Sequence, residues 1–134
     1  MNPGDPQTSS MKSHGGPARI LNACRYSLQG LGHALRHEAA FRQELLLVLP
    51  ALVGLWFLPV SRAEQAILFA SSLLVLIVEL LNSAVEATVD RISTERHPLA
   101  GRAKDLGSAA VLLTVVQMLV CWALIAGPLL LQRL

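Results

Sequence analysis

Residues Gln65 to Asp90 read QAILFASSLLVLIVELLNSAVEATVD. Gln65 to Val78 carries no charge, and apolar character continues past Glu79 to Val89. A helix that crosses a bilayer needs roughly 20 residues. This stretch reaches that length only if Glu79 and Glu86 are admitted to the helix. At about 100° per residue, Asn82, Ser83, Glu86 and Asp90 all fall within roughly 60° of Glu79. The other faces are Leu, Ile, Val and Ala. The reading is a long apolar helix with one polar stripe along one end.

The flanking sequence has the same character. Leu106 to Gln132 is the longest uncharged stretch and meets the spanning length alone. Leu45 to Val60 is uncharged but short, and extends back toward Ala39. Pro50 lies inside it, where a missing N–H can kink a helix. Apolar residues make up 53% of the 134 residues, too many for a soluble domain of this size to cover with polar surface. The expected fold class is an all-α membrane protein with three transmembrane helices. A net charge of +2, with no basic tract carrying interleaved aromatics, excludes a nucleic-acid partner. Cys24 and Cys121 have no zinc or redox spacing and read as buried, inert thiols.

Ahead of the first span, Ile20, Leu21, Cys24, Leu28, Leu31 and Leu35 share one helical face. Arg19, Arg25, Gln29, His33 and Arg36 fall away from it. That pattern predicts a helix lying in the membrane surface. Gly30 and Gly32 weaken it and could mark a bend. Met1 to Pro17 is rich in Gly, Pro and Ser, lacks a signal-type apolar region, and is expected to be a disordered tail. The expected boundaries are a tail over 1–17 and a membrane domain over 18–134. Within that domain we expect a surface helix at about 18–37 and spans at about 39–60, 64–91 and 106–131. A cytoplasmic loop is expected at about 92–105.

Lys and Arg set the orientation. Arg19, Arg25, Arg36 and Arg42 precede the first span, and Arg91, Arg96, Arg102 and Lys104 lie between the second and third. The connection between the first two spans holds only Arg62, and the C-terminal tail only Arg133. The basic segments are expected to be cytoplasmic, with the N-terminus inside and the C-terminus outside. Gly54, Ala84 and Ala87 would permit close helix packing.

A carboxylate within a bilayer costs roughly 2.5–3.5 kcal/mol even on the lenient insertion scale, so two on one face imply a compensating partner. Mg2+ would serve, because it favours carboxylate oxygens and bridges to nucleotide phosphates. Proton sharing in a transporter is the alternative, and a structural hydrogen-bond network the bland one. Glu38 and Glu44, near the start of the first span, become candidate partners. The charged segment Asp90–Asp105 holds Arg102 and Lys104, which with Arg19 would neutralise phosphates. Neither a Walker-type loop nor a protein-kinase motif set is present.

Three blocks carry a family resemblance: Glu38–Glu44 (EAAFRQE), Val78–Ala87 (VELLNSAVEA) followed by Asp90-Arg91, and Gly101–Ala110 (GRAKDLGSAA). In this order they resemble the prokaryotic diacylglycerol kinases. The resemblance runs from about Arg19 to the end of the third span. It implies a surface helix plus three transmembrane helices per chain, a homotrimer in the inner membrane, and active sites between neighbouring chains near the cytoplasmic face. It implies transfer of the γ-phosphate of Mg-ATP to diacylglycerol, giving phosphatidic acid in phospholipid metabolism. A sister branch acts on undecaprenol, and EAAFRQE looks more like the diacylglycerol branch.

Carried over by position, Glu79 is the implied catalytic base, and Glu38 and Glu86 are the implied metal ligands. Arg19, Tyr26, Glu38, Glu86, Glu95, Arg96, His97, Lys104 and Asp105 are implied to contact ATP. Arg19, Ala23, Ser27, Arg42, Gln43, Glu44, Glu79, Asn82 and Ser108 are implied for the lipid substrate. The rival readings are an undecaprenol kinase with the same mechanism, a proton-coupled transporter built from oligomerised chains, and a structural membrane subunit.

Overall fold

A computed structural model of the chain describes residues 16–92 and 97–131. Among them every regular element is an α-helix: α1 (Pro17–His37), α2 (Ala39–Leu55), α3 (Arg62–Ile92), α4 (Pro98–Ile125) and the short α5 (Gly127–Leu131). Residues 1–15, most of the expected tail, lie outside the described residues.

The helix α1 starts where Gly16, at φ 114°, turns the chain into Pro17 at the first helical position. Only glycine takes that φ without strain, and Pro pre-sets the helical φ while giving up an N–H that has no partner there. Gly30 and Gly32 do not interrupt the helix. Its apolar side is bare: Ile20, Leu21 and Leu28 are exposed, Cys24 is exposed with them rather than buried as expected, and Ala34 is its one buried residue. An unpartnered apolar face on a polar-backed helix is the form that rests in a membrane surface.

A single non-helical residue, Glu38, separates α1 from α2. Its backbone is extended (φ −95°, ψ 109°), while its N–H still bonds the Ala34 carbonyl at 3.0 Å. Arg42, one turn into α2, reaches back and donates to the carbonyls of Arg36 (3.2 Å) and Leu35 (3.5 Å). A cation on the otherwise unsatisfied carbonyls of a helix end is favourable for both charge and hydrogen bonding. The corner between α1 and α2 is therefore pinned from both sides.

Two helices are long and apolar enough to cross a membrane, α3 and α4. With 17 residues, α2 falls short of the usual length; it continues through Pro50 and ends at Leu55, before Trp56 and Phe57. At the start of α4, Pro98 takes the first turn, so Pro98–Asp105 is helical rather than loop. Its far end stops at Ile125, because Pro128 cannot donate an N–H and disfavours helical backbone at Gly127. The chain is an all-α membrane protein.

The central helix is α3, packed against α2 on one side and antiparallel α4 on the other. Leu68, Ser72, Val75 and Glu79 are buried at alternating steps of four and three, which keeps them on one stripe. Val48 of α2, Val75 of α3 and Met118 of α4 form the core, with Ala51, Leu52, Leu76, Val115 and Trp122 around it. Ser72 is fully buried, donates to the Leu68 carbonyl at 2.7 Å and accepts from Trp122 Nε1 at 2.9 Å. This bond ties α3 to α4 at a buried hydroxyl. Leu112, Leu113 and Leu124 face outward on α4, as lipid or further chains require.

Candidate active site

Glu79 is the continuation of the core stripe, not an addition to the surface of α3. It is only 4% exposed. The period that buries Leu68 and Val75 brings the next inward position to Glu79. The same stripe then runs on to the half-buried Asn82, Ser83 and Glu86. From Glu79 to Glu86 the polar stripe read from the sequence therefore faces the neighbouring helices, while Asp90 is exposed.

Three further carboxylates are electrostatic neighbours of Glu79: Glu86 on α3, Glu44 on α2 and Glu38 at the α1–α2 corner. Glu44 is half-buried, and its Oε2 is buried with no hydrogen-bond partner among the described residues. Four carboxylates gathered from three elements are costly to keep close without compensating positive charge.

Asn82 organises the next turn. Its Nδ2 donates to Glu86 Oε1 at 3.3 Å, which orients the amide. Its Oδ1 is buried, without a partner among the described residues, and turned toward Gly107 of α4. A Cβ at Gly107 would run into that oxygen and stand 3.9 Å from the Asn82 Cα. This is where α3 and α4 need a missing side chain; a Cβ on Gly54 would meet nothing within 4 Å, so that glycine serves no close packing within the chain. Gly107 lies inside the GRAKDLGSAA block but was not singled out from sequence. The usable signal was a small residue placed where two spans must approach. Gly107→Ala is expected to displace the Asn82 amide from Glu86 and to lower stability by about 1–3 kcal/mol, the usual cost of overpacking. Thermal unfolding in detergent, with turnover measured alongside, checks it.

At the polar end of the hairpin, Lys104 Nζ lies 2.5 Å from Asp90 Oδ1. Both are partly exposed, so the pair joins the ends of α3 and α4 more by geometry than by energy. The pairing was not anticipated. The Lys104 ammonium also feels Glu86, which places it one step beyond the acidic cluster.

The other sequence-predicted residues are spread more widely. Ser27, Glu38 and Ser83 line one cavity of about 590 Å³ between α1 and the polar half of α3, with Leu31, Ala84 and Ala87. Ser27 donates to the Ala23 carbonyl at 3.0 Å. Arg42 serves the end of α1, and exposed Gln43 stands beside it. Asp105 and Ser108 are exposed on α4. His97 caps α4, its Nδ1 accepting from the Leu99 N–H at 3.2 Å. Arg19, Ala23 and Tyr26 are exposed on α1, with Arg19 about 28 Å along that helix from Glu38 at 1.5 Å per residue. Glu95 and Arg96 lie outside the described residues.

No group of three His, Cys, Asp or Glu side chains comes close enough to hold a metal ion among the described residues. Mg2+ needs no such cage. It commonly takes one or two protein carboxylates and completes its shell with water and substrate phosphates. Glu38 and Glu86 carry the hard carboxylate oxygens that such an ion prefers.

Comparison with known proteins adds the following. The family model for prokaryotic diacylglycerol kinase matches residues 25–126. A diacylglycerol kinase of Pseudomonas aeruginosa is 54% identical over 117 residues, covering 87% of this chain and 95% of that protein. One from Escherichia coli K12 is 49% identical over 110 residues, covering 82% and 90%. One from Helicobacter pylori strain 26695 is 41% identical over 109 residues, covering 81% and 82%.

Proposed function

Because this chain belongs to the prokaryotic diacylglycerol kinase family, we propose that it transfers the γ-phosphate of Mg-ATP to the hydroxyl of 1,2-diacylglycerol, giving phosphatidic acid. The observation that carries this reading is the burial of Glu79 within a membrane helix, among three other carboxylates. A lipid alcohol stays in the bilayer while its phosphate donor stays in water. Their chemistry must meet where a spanning helix turns polar, and the stripe from Glu79 to Asp90 is such a place.

In this reading Glu79 is the general base. A lipid hydroxyl is a poor nucleophile and must lose its proton during attack. A carboxylate removed from water is a stronger base than one in bulk solvent. The alcohol oxygen forms its bond to the γ-phosphorus as the bond to the β–γ bridging oxygen breaks. ADP leaves, and the proton passes to Glu79. Glu38 and Glu86 would hold Mg2+, which when bound neutralises phosphate charge and orients the triphosphate. Lys104 meets the phosphates by exchanging its Asp90 partner for them. Asn82 keeps Glu86 in place through its amide. Glu44, Gln43, Arg42, Ser27, Ala23 and Ser108 are assigned to the lipid side. Arg19, Tyr26, His97, Asp105, Glu95 and Arg96 are assigned to the nucleotide.

The distance from Arg19 to Glu38 along α1, and the bare outer faces of α3 and α4, support a site completed by a neighbouring copy. In this reading the chain forms a homotrimer in the inner membrane, with α2 as a third, short span, the N-terminus cytoplasmic and the C-terminus periplasmic. The test is a parallel assay of the purified protein with Mg2+, radiolabelled ATP and either diacylglycerol or undecaprenol. Label in phosphatidic acid, well above label in undecaprenyl phosphate, is the expected result. Preference for undecaprenol would move the chain to the sister activity. Label in neither lipid would end the kinase assignment.

A further inference from the structure

His33 and His37 stand one turn apart on the exposed side of α1, with ring centroids 4.6 Å apart and planes 36° to one another. The α-helix places residues i and i+4 on one face, one above the other. That spacing is how helical histidine pairs grip a metal ion between two imidazoles. Neither ring has a hydrogen-bond or ion-pair partner among the described contacts, and both are open to solvent. The role proposed above for the site uses neither of them. We infer that His33 and His37 form a binding site for a divalent transition-metal ion of the Zn2+ or Ni2+ class, held by two imidazole nitrogens and completed by water.

The donor set decides the ion class. Imidazole suits Zn, Cu, Fe and Ni, whereas Mg2+ and Ca2+ prefer oxygen. The site is therefore chemically distinct from the carboxylates around Glu79. Arg36 between the two histidines opposes a cation, but at an exposed position where salt screens it. Glu38, the next residue after His37, offers opposite charge.

The position gives the ion a consequence. His33 and Glu38 line the same cavity between α1 and α3, with Ser27 and Ser83. An ion on His33 and His37 stiffens the last turn of α1, where His33 lines that cavity. It would slow turnover without touching Glu79 or Lys104. This inhibitory effect rests on the proposed function; the binding site does not.

Calorimetric titration of Ni2+ into the full chain in detergent, with excess Mg2+ on the carboxylates, is expected to show one ion per chain. Partners of metal ligands are commonly worth about 10- to 100-fold in affinity. A ligand itself should be worth at least as much. His33→Ala and His37→Ala are each expected to weaken Ni2+ binding by about tenfold or more. Alanine favours the helix, so helicity by circular dichroism stays unchanged. Cys24→Ser, at the exposed thiol of α1, is expected to leave the affinity as it was. Equal affinity in wild type and both histidine variants overturns the site, as does loss of binding on Cys24→Ser alone. In turnover assays Ni2+ is expected to inhibit the wild type and to inhibit His37→Ala less, with equal rates in the absence of Ni2+. Equal inhibition of the two overturns the effect on turnover. Calorimetry needs no activity, so failure of this site and failure of the kinase reading are separate results.

Discussion

Glu79→Gln is expected to lower kcat for phosphatidic acid formation by about a hundredfold or more, within the 10²–10⁴ range typical of a lost general base. Glutamine keeps the size and shape of the side chain, so the tight stripe of Leu68, Ser72 and Val75 below it has no reason to repack. It also removes one charge from a cluster of four carboxylates, which relieves repulsion instead of adding to it. The variant should therefore be folded and at least as stable as the wild type. Its KM for ATP should change little, because the implied metal ligands Glu38 and Glu86 remain. A loss confined to kcat marks an interaction made in the transition state. The measurement is steady-state turnover on diacylglycerol, with circular dichroism and elution in detergent as controls. Turnover within about twofold of wild type would remove Glu79 from the base role.

The second large effect concerns Glu86. Its replacement by alanine is expected to raise the Mg2+ concentration for half-maximal turnover by about tenfold or more, since even an outer partner of a metal ligand is worth that much. One complication has to be separated. Glu86 also accepts the amide of Asn82 at 3.3 Å, so alanine removes both a charge and an orienting contact. Glu86→Gln separates them. Its amide oxygen still accepts from Asn82, while the anionic oxygen that Mg2+ prefers is gone. If Glu86 ligates the ion, both variants shift the Mg2+ titration upward. If Glu86 acts only by holding Asn82, alanine impairs turnover and glutamine does not. An unchanged Mg2+ titration in both would refute ligation.

These two acids show how far the residues alone carry the reading. The spacing of Glu79, Asn82, Ser83, Glu86 and Asp90 is visible in the string of letters, because a helix repeats every 3.6 residues whatever surrounds it. Their oddity is visible too, since carboxylates do not sit in apolar runs without compensation. The bare apolar face of α1 follows from the same periodicity, and so does the membrane class. Boundaries were less legible. The helical character of Pro98–Asp105 was hidden by its charges, although Pro98 is a helix-start signal. The break at Ala126 depends on Gly127-Pro128, which an apolar run conceals.

Other features have no one-dimensional signature at all. Lys104 meets Asp90 across the connection between α3 and α4, and Trp122 meets Ser72 fifty positions away, because an antiparallel hairpin folds those positions together. Gly107 against Asn82 belongs to the same group: its meaning lies in the distance between two helix axes.

By itself, then, the amino-acid order determined which residues share a helical face, that the long faces are apolar, and that one of them turns acidic at a single end. Only the tertiary structure decided that this acidic end points inward. Helical phase is a local property, fixed by backbone geometry within each segment. Which phase faces a neighbour depends on side chains brought together from α1, α2, α3 and α4, and the packing of Val48, Val75 and Met118 rotates Glu79 into their company.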